Sequence, residues 1–182
     1  MTERIDLRAY RDNIARRLAA AGDAPGAPAL LDVESGGERW LVDLPAAGEV
    51  LPVPSLTPVP MTHDWFAGLA NVHGELETVV DFARFCGAAP TPRTPAARLL
   101  RIGSQSGAGV CLLVERVQGL RHTDTLTCHP ADRADRADPA DPPQPDWHGA
   151  TYDSDNRRWT RLELDRLLAD PRFLDAALSD PS

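Results

Sequence analysis

The chain has 182 residues, a length suited to one domain or one domain with helical extensions. Acidic residues outnumber basic ones by 27 to 19 and the net charge is −8, which argues against a nucleic-acid partner, whose phosphates call for a basic face. Three cysteines without close pairing, no apolar leader behind Met1 and no apolar run near the roughly 20 residues of a membrane helix suggest a cytoplasmic protein that meets other proteins without inserting into a membrane.

Leu7, Tyr10, Ile14 and Leu18 recur at spacings of three, four and four, which predicts an amphipathic helix over 3–21 that ends at Gly22. The Pro and Gly of 23–28 form a linker, so 1–28 is read as an N-terminal helical extension and 29–182 as the main domain. From there the pattern is strand-like. Short strands are expected over 39–44 and 50–53, after which Pro52, Pro54, Pro58 and Pro60 limit any strand to an edge.

Strands over 66–72 and 76–82 flank His73-Gly74, where glycine supplies the positive φ of a tight hairpin. Asp81 is placed to cap one helical turn, 82–86, terminated by Gly87. A proline-rich connection over 89–95 precedes strands over 98–102 and 110–114, joined by a glycine-serine turn, and 117–122 adds another. Many short strands with turns between them indicate small β-barrels rather than a parallel sheet.

Residues 131–145 repeat Ala-Asp-Arg and Ala-Asp-Pro with no aliphatic side chain larger than alanine or proline, which predicts a solvated, mobile loop. Strands over 147–152 and 157–161 form a hairpin around Asp155-Asn156. Thr160 and Glu163 have capping-box spacing for a helix over 161–169, and Asp170-Pro171 opens a last helix through 178.

Constellations able to carry chemistry are weak. Cys111, His122, Cys128 and His129 are candidate metal ligands, but no metal-site spacing is present, so no metal and no cofactor is expected. The run 103–109 lacks the Lys and Ser/Thr of a phosphate loop, and no serine sits in a nucleophile elbow. Glu75, Glu77 and Asp81 share one strand parity; they are read as a solvated face, with Leu76 and Val80 turned to the core. Trp65 and Phe66 have two readings, as partner anchors or as a seal on a barrel core.

Pro58-Val59-Pro60, then Gly68-Leu69-Ala70-Asn71-Val72-His73-Gly74, then Val79-Val80-Asp81-Phe82 resembles the central signature of CheW-like domains. Gly109-Val110-Cys111-Leu112-Leu113-Val114-Glu115 and Gly119-Leu120-Arg121 resemble a second segment of that family, and the N-terminal helix and 168–175 resemble its PilI-like, twitching-motility members. The resemblance runs from about 39 to 169. It implies a mainly β fold of two packed SH3-like, five-stranded β-barrels with N- and C-terminal helices. It also implies a non-enzymatic adaptor that binds the regulatory domain of a CheA-type histidine kinase and the cytoplasmic tip of a methyl-accepting chemoreceptor. By motif position, partner contacts are expected at Val72, His73, Gly74, Val80, Asp81, Leu113, Val114 and Glu115. The family pattern has Arg where His73 stands, and Leu-Pro where this chain has Glu77-Thr78.

Overall fold

Apolar side chains that alternate between two faces organise the chain. The structure, a computed structural model, describes residues 29–102, 109–130 and 145–176. The expected N-terminal helix and linker, residues 103–108 of the glycine-serine turn, most of the Ala-Asp loop and 177–178 lie outside the described residues; the last helix, expected through 178, stops at Leu174.

Twelve strands are present among the described residues. They are β1 (Ala29–Ser35), β2 (Glu38–Asp43), β3 (Glu49–Pro52), β4 (Leu56–Thr57), β5 (Phe66–Val72) and β6 (Glu75–Asp81). After them come β7 (Arg98–Arg101), β8 (Val110–Val114), β9 (Arg116–His122), β10 (Thr127–His129), β11 (His148–Ser154) and β12 (Arg157–Leu162). Three short helices accompany them: α1 (Phe82–Phe85), α2 (Leu164–Leu168) and α3 (Pro171–Leu174). The expected strands match to within a residue or two. The additions are the short β4 and β10 and the longer β1, where Leu30 and Leu31 are buried on opposite faces and conceal the alternation of a half-buried strand.

The strands form two six-stranded sheets, ordered β10-β11-β12-β2-β1-β9 and β3-β7-β8-β6-β5-β4. Each contains one parallel contact, β12 with β2 and β6 with β8, and is otherwise antiparallel. The two edges of each sheet are neighbours in sequence: β9 and β10 flank a 3₁₀ turn at Thr123–Thr125, and β3 and β4 flank Val53-Pro54-Ser55. One bent segment thus wraps from edge to edge and curls each sheet. The expected five strands per barrel become six because that segment breaks: proline removes an N–H in one barrel and the 3₁₀ turn diverts the chain in the other.

Side chains from every wall of the second barrel meet inside it. Ala70, Val72, Val79, Leu99, Cys111 and Leu113 are buried there beside Leu51 and Leu56. Leu30, Leu41, Tyr152 and Trp159 fill the first barrel. The alternate residues of the same strands, including Leu31, Val42, Val80, Leu100, Leu112 and Val114, build a third and larger core between the barrels. Trp40 and Phe82 pack edge to face there at 5.1 Å, as aromatic quadrupoles prefer.

Both expected caps near α1 and α3 are formed. Asp81 accepts from the Arg84 N–H, and Gly87 has φ 83° just beyond α1. Asp170 accepts from the Arg172 N–H at 2.9 Å, with Pro171 at the first helical position. The expected capping box is not formed. Thr160, Arg161 and Leu162 continue β12, held by parallel pairing with Trp40, Leu41 and Val42, so the helix starts only at Leu164 and the Glu163 side chain makes no capping bond.

Candidate partner-binding surface

The β5–β6 hairpin supplies the most accessible of the expected contact residues. Its two-residue turn places His73 at φ 54° and Gly74 at φ 92°, a left-handed pair matching the twist of the flanking strands. Asn71 Oδ1 accepts the Gly74 N–H at 2.9 Å and closes the turn. His73 Nε2 lies 3.1 and 2.9 Å from the two carboxylate oxygens of Glu49 on β3, so the tip is tied to the strand at the far edge of the sheet order. Leu76, two residues beyond the turn, is 70% exposed.

The reading of Glu75, Glu77 and Asp81 as one solvated face is overturned. Glu75 is exposed, but Glu77 and Asp81 are buried, while Leu76, expected in the core, stands in solvent. β6 lies between β5 and β8 with the barrel interior on one side and the inter-barrel core on the other, so both faces are covered beyond the hairpin end. Glu77 Oε1 is 2.5 Å from an Arg101 guanidinium nitrogen that also contacts Glu75, and its other oxygen accepts from Cys111 Sγ at 3.2 Å. Burial, then the Glu77 hydrogen bond, pushes the Cys111 thiol up to about 12, so it stays a protonated donor. Gly109 makes this possible: a Cβ there would sit 2.9 Å from Glu77 Cδ.

The remaining expected residues divide by location. Val72 and Leu113 line the second barrel, and Val80 and Val114 the core between the barrels. Asp81 accepts from Thr91 Oγ1 at 2.7 Å and from the Thr91 N–H at 3.0 Å, in addition to capping α1. Glu115 accepts the Gly36 N–H at 2.8 Å and braces the β1–β2 turn. His73 and Gly74 are therefore the exposed pair of the eight, and the other six shape the scaffold beneath them. Glu49 and Arg101 were not singled out from sequence, and the alternation assigned Leu76 to the core rather than to this surface. The pairing of β3 with β7 brings in Glu49 and Arg101.

Trp65 resolves to the interior. It is 9% exposed, stacks on His63 and Phe173 at 5.6 and 6.3 Å, and meets Phe85 edge to face. It thereby fastens α3 to the inter-barrel core. A second surface feature lies at the mouth of the second barrel, where Val53, Leu56, Pro58, Ala67 and Ala97 border a cleft of about 580 Å³. Among the described residues no three His, Cys, Asp or Glu side chains gather as a metal-binding group. Nor is any described helix long and apolar enough to cross a membrane.

The chain thus forms two packed barrels, each curled by one bent edge segment. The family model for the CheW-like domain matches residues 29–172, and the chain belongs to the CheW-like domain family, a group of adaptors rather than enzymes. The chain is 30% identical over 118 residues to Protein PilI of Pseudomonas aeruginosa; the match spans 65% of this chain and 65%, just under two thirds, of that relative. The fold is similar to the crystal structure of scaffolding protein TtCheW from Thermoanaerobacter tengcongensis, with a TM-score of 0.63 and 17% identity, covering 78% of this chain and 88% of that one.

Proposed function

We propose that this chain is a cytoplasmic adaptor coupling a chemoreceptor tip to the regulatory domain of a CheA-type histidine kinase, in a chemosensory system that controls type IV pilus twitching motility. The observation that carries the reading is the β5–β6 hairpin: a rigid, exposed His73-Gly74 tip, tied to Glu49 and flanked by exposed Leu76, on the segment that resembles the family signature. The similarity to PilI supports the pilus assignment. An adaptor of this kind works by holding two partners together. Bridging raises the effective concentration of one beside the other, and a receptor state that binds the adaptor differently biases the kinase by that difference. The hairpin and the barrel-mouth cleft are separate surfaces on which two partners can sit at once.

Calorimetric titration of the full chain with the regulatory domain of the CheA-type kinase from the same genome tests this. One-to-one saturable binding, followed by binding of a receptor-tip fragment, is the expected result. The His73–Glu49 pair favours one other reading, a paralogue that joins receptor arrays without activating the kinase, because the family pattern has arginine there and histidine lacks its permanent forked charge. Under that reading one partner binds and kinase activity in a reconstituted array is not restored. His73→Arg is expected to alter affinity for at least one partner; unchanged binding to both would remove this position from affinity tuning.

A further inference from the structure

The tip of the β5–β6 hairpin carries a charge that its neighbours do not cancel. His73, Glu75 and Leu76 stand on the hairpin, and the register pair Glu49↔Arg101 of β3 and β7 lies beside it. Glu77, farther along β6, is 1% exposed, and a carboxylate so buried needs a counter-ion. Arg101 supplies it, and the same guanidinium nitrogen also contacts Glu75, at 2.5 Å in each case. Arg101 is thereby committed to β6, and among the described residues it makes no ion pair with Glu49.

Glu49 instead meets His73 Nε2, 2.9 Å from its nearer oxygen. Three carboxylates thus stand against one guanidinium, which leaves two negative charges with a neutral imidazole at His73 and one with a protonated imidazole. The sign is the same either way. Residues 103–108, which follow this end of the second barrel in the sequence, contain no ionisable side chain to offset it. An apolar side chain stands among the charges: Leu76 is 70% exposed, next to Glu75 at 69%, while Glu49 is 36% exposed. The turn is closed by Asn71 and tied to β3, so this surface is set before a partner arrives. Two departures from the family pattern act in one direction. Histidine for arginine at 73 removes a permanent positive charge, and glutamate for leucine at 77 adds a negative one and occupies Arg101.

Resting on the adaptor reading of the hairpin, we propose that its tip selects a protein segment that presents a basic side chain beside an apolar one, with the basic group at Glu49 and the apolar group on Leu76. A cation gains from each charge that the tip leaves uncancelled. An acidic segment would be repelled, and a wholly apolar one would cover Glu49 and Glu75 without replacing their water. Glu49 is the specificity-determining residue, because it is the exposed tip carboxylate that no permanent cation touches among the described residues. Its role is to fix the sign of the partner, while Leu76 supplies the contact area.

The test combines two titrations of the full chain. Calorimetry uses the kinase regulatory domain and the receptor-tip fragment at about 50 and about 300 mM salt. NMR uses two peptides, N-acetyl-Leu-Lys-Leu-Lys amide and N-acetyl-Leu-Glu-Leu-Glu amide. Leu76→Ser identifies the protein that uses the hairpin without altering its charge. For that protein Glu49→Gln should weaken binding about threefold or more and reduce its salt dependence, and His73→Arg should weaken it as well. The lysine peptide should shift the Gly74 and Leu76 amide signals, the glutamate peptide should not, and Glu49→Gln should blunt the lysine response, with an unchanged urea midpoint reporting an intact fold. Equal affinity of wild type and Glu49→Gln for a protein that Leu76→Ser weakens overturns the proposal and leaves the adaptor reading standing. Equal shifts by the two peptides overturn it whether or not either protein binds. Two proteins that bind one-to-one yet ignore Leu76→Ser place the hairpin outside the interface and overturn it too. Absence of binding by either protein ends the adaptor reading, and the peptides still decide the charge preference of the tip.

Discussion

Two glycines of the signature segment invite the same substitution and should respond very differently. Gly68 has φ +124°, and a Cβ there would fall inside contact distance of the Thr57 carbonyl oxygen and 2.9 Å from its carbon. Gly74 has φ +92° with nothing within 4 Å. Alanine at Gly74 therefore incurs only the cost of a left-handed backbone, on the order of 1–2 kcal/mol. Alanine at Gly68 adds displacement of Thr57. Because β4 is just two residues, paired to β5 through Leu56↔Ala70 and Thr57↔Leu69, moving Thr57 disrupts the whole strand. Losing one or two backbone bonds at roughly 0.5–1.5 kcal/mol each, on top of the strain, brings Gly68→Ala to on the order of 3–5 kcal/mol. Urea unfolding followed by tryptophan fluorescence separates the two. If both variants lose stability to within about 0.5 kcal/mol of each other, below the usual error of non-coupled sites, the backbone contact at Thr57 is not what requires glycine.

Asp81→Ala should cost about 2–4 kcal/mol by removing a cap and two bonds to Thr91, while Asp81→Asn retains most of the stability; thermal melts compare them. Burial lowers the His148 pKa from its ordinary 6.5, so as pH falls through that value the unfolded chain takes the proton first and stability declines until the folded form also titrates. His148→Asn should flatten the fall in melting temperature between pH 7 and 5, and an unchanged slope would assign it elsewhere. The Asp170 carboxyl, held below its ordinary range chiefly by Arg172, contributes stability above pH 4 that is lost on further acidification; Arg172→Ala should shrink that loss in the same melts. Leu76→Asp should leave the urea midpoint nearly unchanged, since the side chain is 70% exposed, yet weaken receptor-tip binding at least tenfold; retained affinity would place the hairpin outside the interface.

The turns were the most legible part of the chain, because their chemistry is local. His73-Gly74 and Asp155-Asn156 both adopt the positive φ that such pairs signal, and Asp81 and Asp170 cap the helices that follow them. The parity of β6 misled because it presumes one wet face. A strand between a barrel interior and a second packed barrel has none, so alternation no longer reports orientation. Glu77 is tolerated there through Arg101 on β7 and Cys111 on β8, partners that lie 24 and 34 positions away and are supplied by the fold. The Thr160–Glu163 spacing failed for a related reason: pairing with β2, 120 positions earlier, outweighs a local capping preference. At the candidate surface, the tip was readable and its surroundings were not, since Glu49 arrives through the curl of the sheet, from a strand at its far edge.

The two barrels differ in how they are threaded. The second is made from one uninterrupted stretch, β3 to β8, whereas the first joins β1 and β2 to β9–β12 across it. During synthesis the middle barrel has all its strands once 114 has emerged, while the β1–β2 hairpin waits for β9 and β12: Asp32 meets Arg121 across 89 positions and Asp43 meets Arg161 across 118. Closing such long loops is entropically expensive and slow. The order of assembly is therefore written into the connectivity. The middle barrel, which carries the hairpin, can fold as a unit on the ribosome, and its formed outer face then serves as the template on which the two ends of the chain find each other.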